Sequence, residues 1–184
     1  MKATQQLKDE HQGVLLSLSI LEKINQKLKK GEKINPLHLE QLLEFIRVFV
    51  DKCHHGKEED LLFPEMEKAG IPNEGGPIGM MLQEHNLGRN YVKNFAQAID
   101  EYKTGDLKAG AKIIKNTSGY IDLLKDHIDK EDNILYMMAD AHLSAKTQKD
   151  LLEKFDKVED EKIGKGKHEE FHQMLDNLKK IYLK

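Results

Sequence analysis

The sequence predicts an all-α protein: an antiparallel four-helix bundle followed by one or two extra C-terminal helices. Charged residues make up 33% of the 184 residues and aromatic residues only 6%, with four Pro and no Trp, a composition typical of soluble helical proteins. Four long segments carry apolar residues at steps of three and four, which is the pattern of amphipathic helices. Short connections join the first segment to the second and the third to the fourth, and short connections favour antiparallel neighbours.

The four bundle helices are predicted over residues 4–30, 36–63, 78–103 and roughly 107–140. In each helix the apolar residues form one continuous face, which the bundle would bury.

Gly, Pro and Asn mark the breaks between these helices. Gly31 is a typical helix stop, and Asn35-Pro36 is a typical helix start. We expect the second helix to end at or near Pro64 and residues 69–77 to form a loop. Thr104-Gly105-Asp106 is a tight connection between the third and fourth helices.

The chain from about residue 144 predicts one or two shorter amphipathic helices, interrupted at Gly164-Lys165-Gly166. This tail is too short to hold a core of its own. We therefore expect two parts: residues 1–142 as the bundle, and residues 143–184 as an extension packed on it.

Composition excludes several function classes. The formal net charge is −3, so nothing indicates binding to nucleic acid or to an anionic membrane. No apolar run reaches the roughly 18 residues of a membrane span, and no signal-peptide pattern is present. The single Cys53 excludes an intrachain disulfide framework and fits a reducing compartment. We therefore expect a cytoplasmic protein.

A His/Glu pair stands out in the second predicted helix. His55 and Glu59 are four residues apart, a spacing that places both side chains on one helical face. An imidazole and a carboxylate that converge on one point suit a borderline divalent metal such as iron. The pair recurs 72 residues later as His127 and Glu131.

The two pairs belong to a longer repeat. His11 precedes the first pair and His85 the second, each on the apolar face of its helix and each preceded by Glu. A duplicated helical hairpin would bring these four His and two Glu together inside the bundle as a dinuclear metal centre. The alternative is that each residue is satisfied separately in the core, but burying two uncompensated carboxylates costs several kcal/mol each.

In the order and spacing of His11, His55/Glu59, His85 and His127/Glu131, the chain resembles hemerythrin-like proteins of the HHE cation-binding type over roughly residues 4–140. The resemblance implies a four-helix bundle that holds two iron ions, bridged by an oxo or hydroxo group and by two carboxylates. It also implies these six residues as the metal ligands. Members of the family bind dioxygen, sense oxygen or iron, or respond to nitric oxide and peroxide.

The chain departs from the oxygen-carrying hemerythrins in its third helix. Those proteins have a second His four residues after the first, where this chain has Arg89, a side chain that stays protonated and does not ligate iron. In the fourth helix His127 reaches Glu131 at four residues and Asp132 at five, and the repeat favours Glu131. The similarity is therefore closer to stress-linked members, such as proteins implicated in repairing iron–sulfur centres.

These features predict a non-haem di-iron protein that binds or senses a small oxidant (O₂, NO or peroxide) in oxidative or nitrosative stress or in iron homeostasis. Two alternatives stay open. One is an enzyme that reduces peroxide or NO at the di-iron centre. The other is an iron donor for the repair of iron–sulfur centres.

Several residues near the motif have two interpretations each. Arg89 either offsets the charge of the site and binds an anion, or forms a salt bridge to Glu10, Glu84 or another carboxylate. Tyr120 is either a hydrogen-bond donor or electron relay near the metals, or a core residue.

Other His and Asp residues also stay open. His54 points about 100° away from His55 on an α-helix, which favours a surface position or one behind the ligands. His168 and His172 either add a ligand from the tail or begin a solvated helix. Asp60 and Asp132 each follow a predicted Glu ligand, so they either orient a His ligand or lie on the helix surface.

Overall fold

The computed structural model describes residues 2–164 and 166–184, so that Met1 and Lys165, at the centre of the predicted tail break, lie outside the described residues. Over these residues the all-α prediction is confirmed, with six helices and no strand. The helices are α1 (Ala3–Lys29), α2 (36–68), α3 (Pro77–Lys103), α4 (109–142), α5 (Ala145–Lys162) and α6 (Lys167–Tyr182).

Helix α2 begins at a conventional N-terminal cap. The Asn35 side chain accepts a 3.1 Å hydrogen bond from the amide of Leu37, and Pro36 occupies the first turn, where its missing N–H costs nothing. The helix does not end near Pro64, as the sequence indicated, but continues to Lys68. Pro64 is tolerated because it lies in the first turn after a π-helical segment, where the regular hydrogen bonds are already interrupted.

Two of the helices contain π-helical segments. They are Ile46–His55 and Glu58–Leu62 in α2, and Glu131–Leu135 in α4. A π-helical turn bonds residue i to residue i+5 and is wider than an α-helical turn. Consecutive side chains are therefore separated by a smaller angle, so that two neighbours face the same interior more easily.

The apolar core consists of two clusters with a polar layer between them. One cluster contains Val14, Val50 and Leu124, and the other contains Leu7, Leu62 and Leu135. On α1, for example, His11 lies between Leu7 of one cluster and Val14 of the other. The buried polar side chains of the bundle therefore lie between two apolar clusters.

The C-terminal helices pack on α1 and α2. On α6, Phe171 lies edge-on to Phe45 and Phe49, with ring centroids 5.5 and 6.4 Å apart, and the Tyr182 hydroxyl is 2.7 Å from His38 Nδ1. On α5, Gln148 Oε1 accepts a 2.9 Å hydrogen bond from the amide of Ala3. No helix within the described ranges is long and apolar enough to cross a membrane.

Candidate metal centre

The polar layer of the bundle contains seven side chains with potential ligand atoms. All belong to residues at most 5% exposed, and they come from all four bundle helices. They are His11, His54, His55, Glu58, His85, His127 and Glu131. A buried set of five imidazoles and two carboxylates requires a compensating partner, since burial of such groups is otherwise unfavourable.

The five imidazoles fall into two groups. In the two-histidine position, His11 Nε2 lies 3.0 Å from His54 Nε2. In the three-histidine position, His85 Nε2 lies 3.1 Å from His127 Nε2, and the ring of His55 stacks on that of His85 with centroids 3.8 Å apart. Within each position, the ligand atoms lie within 4.8 Å of one another.

The two carboxylates lie between these positions. Glu131 Oε2 is 3.2 Å from His11 Nε2, and its Oε1 is 3.0 Å from His127 Nε2. Glu58 Oε2 is 3.8 Å from His54 Nε2 and 3.5 Å from His85 Nε2. Each carboxylate therefore touches both groups, as a ligand shared by two metal ions would.

Three carboxylate oxygens in this layer are buried without a hydrogen-bond partner among the described residues: Glu58 Oε2 and both oxygens of Glu131. Unsatisfied buried oxygens are rare in proteins, and those of a carboxylate are especially costly. Burial and then the charge of Glu131 raise the pKa of Glu58 well above its usual range. A pair of cations between the two groups would satisfy these oxygens and allow both carboxylates to ionise, so the residues present fit a dinuclear metal site.

A second layer of carboxylates orients the five imidazoles. In each case Nδ1 faces a carboxylate oxygen, which leaves Nε2 directed into the centre. The pairs are His11 with Asp132 (2.9 Å), His54 with Glu10 (2.8 Å), His85 with Glu59 (2.6 Å), His127 with Glu84 (2.9 Å) and His55 with Asp51 (3.4 Å). Ionised carboxylates only accept, so Nδ1 carries the proton and the Nε2 lone pair is free for a metal.

The two halves of the chain build this arrangement in the same way. The matching residues are His54, Lys57, Glu58 and Glu59 in α2, and His127, Lys130, Glu131 and Asp132 in α4. Lys57 Nζ donates a 2.6 Å hydrogen bond to Glu10, and Lys130 pairs with Glu84. The repeat therefore has the form His-x-x-Lys-Glu followed by an acidic residue.

The halves also differ at two matching positions. His55 of α2 adds a third imidazole to the three-histidine position, whereas its counterpart Ile128 belongs to the apolar core. Tyr136 of α4 donates a 2.6 Å hydrogen bond to Glu58 Oε1, whereas its counterpart Phe63 has no hydroxyl. The centre is thus asymmetric although its framework is repeated.

Five of the six residues expected as ligands come together in the centre: His11, His55, His85, His127 and Glu131. The sixth requires a correction. Glu59 is 25% exposed and lies behind His85, and Glu58 occupies the central place. His54, expected at the surface or behind the ligands, is buried with its Nε2 in the centre, because the π-helical segment that contains both residues allows His54 and His55 to face inward together.

The sequence contains a signal that distinguishes these registers. The stretch His54-His55-Gly56-Lys57-Glu58-Glu59 offers two His/Glu pairs at the same spacing. Alignment of Lys57-Glu58 with Lys130-Glu131 selects the pair His54 and Glu58.

The remaining candidates take the following places. Arg89 forms ion pairs with Asp51 and Glu59, each at 2.8 Å, and not with Glu10 or Glu84. Asp132 orients His11, whereas Asp60 is exposed and lies 3.9 Å from Lys162.

Tyr120 and Cys53 are core residues. Tyr120 is buried in the first apolar cluster. Cys53 is also buried, which raises the pKa of its thiol to about 12. Its thiol therefore stays protonated near neutral pH, where it is a poor nucleophile and a poor metal ligand.

A cavity of about 150 Å³ opens beside the three-histidine position. Its walls combine the apolar side chains of Ile46, Val92 and Leu124 with the ion pair of Arg89 and Asp51. A second, narrower space has no room for a water molecule. It is lined by the apolar side chains of Val14, Val50 and Ile128, and it adjoins histidines of both positions. The centre therefore has one side with room for a small molecule and one tight apolar side.

The chain is similar in sequence to proteins of one known family. A family model described as Hemerythrin HHE cation binding domain matches residues 2–139. Uncharacterized proteins of Mycobacterium bovis and of two Mycobacterium tuberculosis strains are each 23% identical over 165 residues. That alignment covers 89% of this chain, which spans 64% of the length of each relative. No solved structure gives a significant match. The family match covers most of the chain and includes every residue of the buried His/Glu cluster, and the chain therefore belongs to the hemerythrin HHE cation binding domain family.

Proposed function

We propose that the chain is a non-haem di-iron protein that binds or senses a small oxidant. One iron would be held by His11 and His54, and the other by His55, His85 and His127. Glu58 and Glu131 would be shared between them. The observation that carries the proposal is the position of Glu131, whose two oxygens lie 3.2 and 3.0 Å from imidazoles of the two different groups.

The donor set supports iron. Imidazole and carboxylate ligands together suit iron, whereas a zinc structural site would favour Cys or a closed tetrahedron. Iron ions held here would supply coordination positions and electrons for a small oxidant, and the protein would supply binding and orientation.

The two-histidine position would offer more free coordination positions to the oxidant. It has one imidazole fewer than the three-histidine position, so fewer protein atoms occupy its coordination sphere. The apolar side chains of Val14, Val50 and Ile128 lie beside it and leave no room for a water molecule, so an entering molecule would have to move them apart. Such walls favour a small uncharged molecule such as O₂ or NO over a hydrated ion.

The surrounding residues hold the ligands and exclude water. Asp132 and Glu10 fix the rings of His11 and His54. Tyr136 stacks on His11 with ring centroids 5.7 Å apart and donates its hydroxyl to Glu58, so it fixes one ring and one carboxylate together. These contacts keep the donor atoms in place before a metal or an oxidant arrives.

A role in oxidative or nitrosative stress or in iron homeostasis is part of the proposal, and reduction of peroxide or NO is its catalytic alternative. The cavity beside the three-histidine position is the observation that favours this alternative, because it gives a polar molecule such as peroxide a route to the centre. Donation of iron for iron–sulfur repair is the third outcome to be distinguished.

Metal analysis and rapid mixing test the proposal. Aerobically purified protein should contain about two irons per chain, the number that the two histidine positions provide. The reduced protein is then mixed with O₂, NO and peroxide in a stopped-flow spectrometer. A stable adduct supports binding or sensing, repeated turnover supports an enzyme, and release of iron to a chelator supports donation. One iron or none per chain, with no spectral response to any of the three oxidants, would overturn the proposal.

A further inference from the structure

Two His residues of α6 lie outside the dinuclear centre. His168 and His172 are four residues apart near the start of the helix, and their Nε2 atoms are 2.8 Å apart. Their rings are stacked, with centroids 4.7 Å apart and an interplanar angle of 24°. The two Nε2 atoms therefore lie side by side at the protein surface.

His168 is held in this orientation by two other helices. Glu159 of α5 is 2.6 Å from its Nδ1, and Phe49 of α2 lies edge-on at 5.2 Å. Glu159 is itself fixed by Lys57, whose Nζ is 3.3 Å from the other carboxylate oxygen. A carboxylate on Nδ1 is the arrangement that orients metal-binding imidazoles, because it leaves Nε2 unprotonated and makes it more basic.

We propose that His168 and His172 form a second, peripheral metal site for a divalent late first-row transition ion such as Cu²⁺ or Zn²⁺. Metal–imidazole bonds of about 2.0–2.1 Å place two nitrogens on one ion about 3 Å apart. The observed separation of 2.8 Å needs only a small opening to accept the ion. Water would fill the remaining coordination positions, since His172 is exposed.

Without a metal, a single N–H···N hydrogen bond connects the rings of His168 and His172. Glu159 accepts the Nδ1 proton of His168, so the Nε2–H of His172 donates to His168 Nε2. An ion that enters the site replaces this proton, and His172 moves its proton to Nδ1, on the exposed side of the ring. The exchange costs no buried hydrogen bond, which distinguishes this pair from the imidazoles of the bundle interior.

The donor atoms favour copper and zinc over magnesium or calcium. The site offers two nitrogens and no carboxylate oxygen to the ion, because Glu159 contacts the far side of the His168 ring. Imidazole sites bind Cu²⁺ more tightly than the other divalent first-row ions. Copper is therefore the best probe, whichever ion occupies the site in the cell.

The test is a Cu²⁺ titration of the iron-loaded protein, followed by electron paramagnetic resonance. The wild-type protein should bind one additional Cu²⁺ per chain with two nitrogens coupled to it. His172→Ala should lose the two-nitrogen signal, and because His172 is exposed this variant keeps its fold. His142→Ala, which removes another exposed imidazole at a helix end, is the matched control and should bind copper like the wild type.

Glu159→Gln tests whether the carboxylate that orients His168 strengthens copper binding, or whether the two histidines bind copper without it. Loss of the carboxylate behind a ligand typically weakens metal binding roughly 10–100-fold, and we expect a loss in that range. An unchanged copper signal in His172→Ala would overturn the proposal, as would equal copper binding in wild-type protein and the His168→Ala/His172→Ala double variant. Iron content is measured in all variants and should stay at the wild-type value in His172→Ala, which shows that the peripheral site is independent of the dinuclear centre.

Discussion

The Tyr136 hydroxyl donates a 2.6 Å hydrogen bond to Glu58 Oε1, so a side chain from one half of the repeat satisfies the carboxylate of the other. The matching residue in the first half is Phe63, and both oxygens of Glu131 consequently lack a hydrogen-bond donor within the described part of the chain. The two central carboxylates therefore differ: the protein partly fixes Glu58, whereas Glu131 would depend on bound metal ions for its partners.

Tyr136→Phe should therefore destabilise the protein before any metal binds. The substitution removes one donor and leaves a buried carboxylate oxygen unpaired, which costs roughly 1–3 kcal/mol. Urea unfolding of the metal-free protein measures the loss. Tyr120→Phe is the matched control, since Tyr120 is also buried but makes no hydrogen bond to the centre; a loss as large in the control would contradict the assigned role of the Tyr136 hydroxyl.

The pair Glu58 and Glu59 offers a direct test of the register. Glu58→Ala removes a shared ligand and should lose most of the bound iron. Glu59→Ala removes only the carboxylate behind His85, so the protein should retain both metals with an affinity reduced roughly 10–100-fold. Iron per chain, measured by elemental analysis after purification, checks both. Greater iron loss in Glu59→Ala than in Glu58→Ala would mean that Glu59, paired with His55 as the sequence predicted, is the metal ligand.

Most of the bundle is predictable from the sequence because apolar periodicity survives in every long helix. The first predicted helix, residues 4–30, differs from Ala3–Lys29 by one residue at each end. The site is harder, because adjacent His54 and His55 compete for one role on a regular α-helix. In the structure both imidazoles face the centre of the bundle. The π-helical segment that allows this leaves no simple periodic signal in the sequence.

The second layer of carboxylates was only partly predictable. Asp132 follows its Glu directly, so a role in orienting a His ligand could be proposed from its position, but the identity of that His as His11 could not. The partners of His54 and His127 are Glu10 and Glu84, which lie on other helices. Such contacts depend on how the helices pack, and a single sequence does not specify that packing.

The metal-free protein should lose stability as the pH rises above neutral. Burial opposes a charge on His11, but the close contacts with Asp132 and Glu131 and their negative charges together outweigh it and raise the pKa of His11 to about 9. Burial also opposes a charge on His127, but the charge of Glu131 and the close contacts with Glu131 and Glu84 together outweigh it and raise that pKa to about 10. In the unfolded chain both titrate near about 6.5.

The sign follows from these shifts. A folded-state pKa above the unfolded value contributes stability that is fully present below about pH 6.5 and is lost as the pH rises through about 9 and about 10. Thermal unfolding of the metal-free protein from pH 6 to pH 10 should show this decline. The iron-loaded protein should not show it, because metal binding requires neutral imidazoles. A metal-free protein that becomes more stable over this range would contradict the assignment.

The repeat also supplies a matched pair of lysines. Lys57 and Lys130 occupy equivalent positions and pair with Glu10 and Glu84, but the Lys57 side chain is 1% exposed and that of Lys130 is 34% exposed. Helix α5 causes the difference, since Glu159 and the ring of Phe155 lie against Lys57.

Lys57→Met should therefore destabilise the protein far more than Lys130→Met. Removing Lys57 leaves the buried Glu10 carboxylate with the hydrogen bond from His54 but without its cation, at a cost of about 3–5 kcal/mol. The partly exposed pair of Lys130 and Glu84 contributes less than about 1 kcal/mol, because water reaches and screens it. Urea unfolding of the two variants measures both effects. Lys57→Met should also loosen His54, whose Nδ1 bonds to Glu10, so its iron loss should exceed that of Lys130→Met. If both substitutions lowered the free energy of unfolding equally, burial of Lys57 by helix α5 would not strengthen its ion pair with Glu10, and the prediction would be wrong.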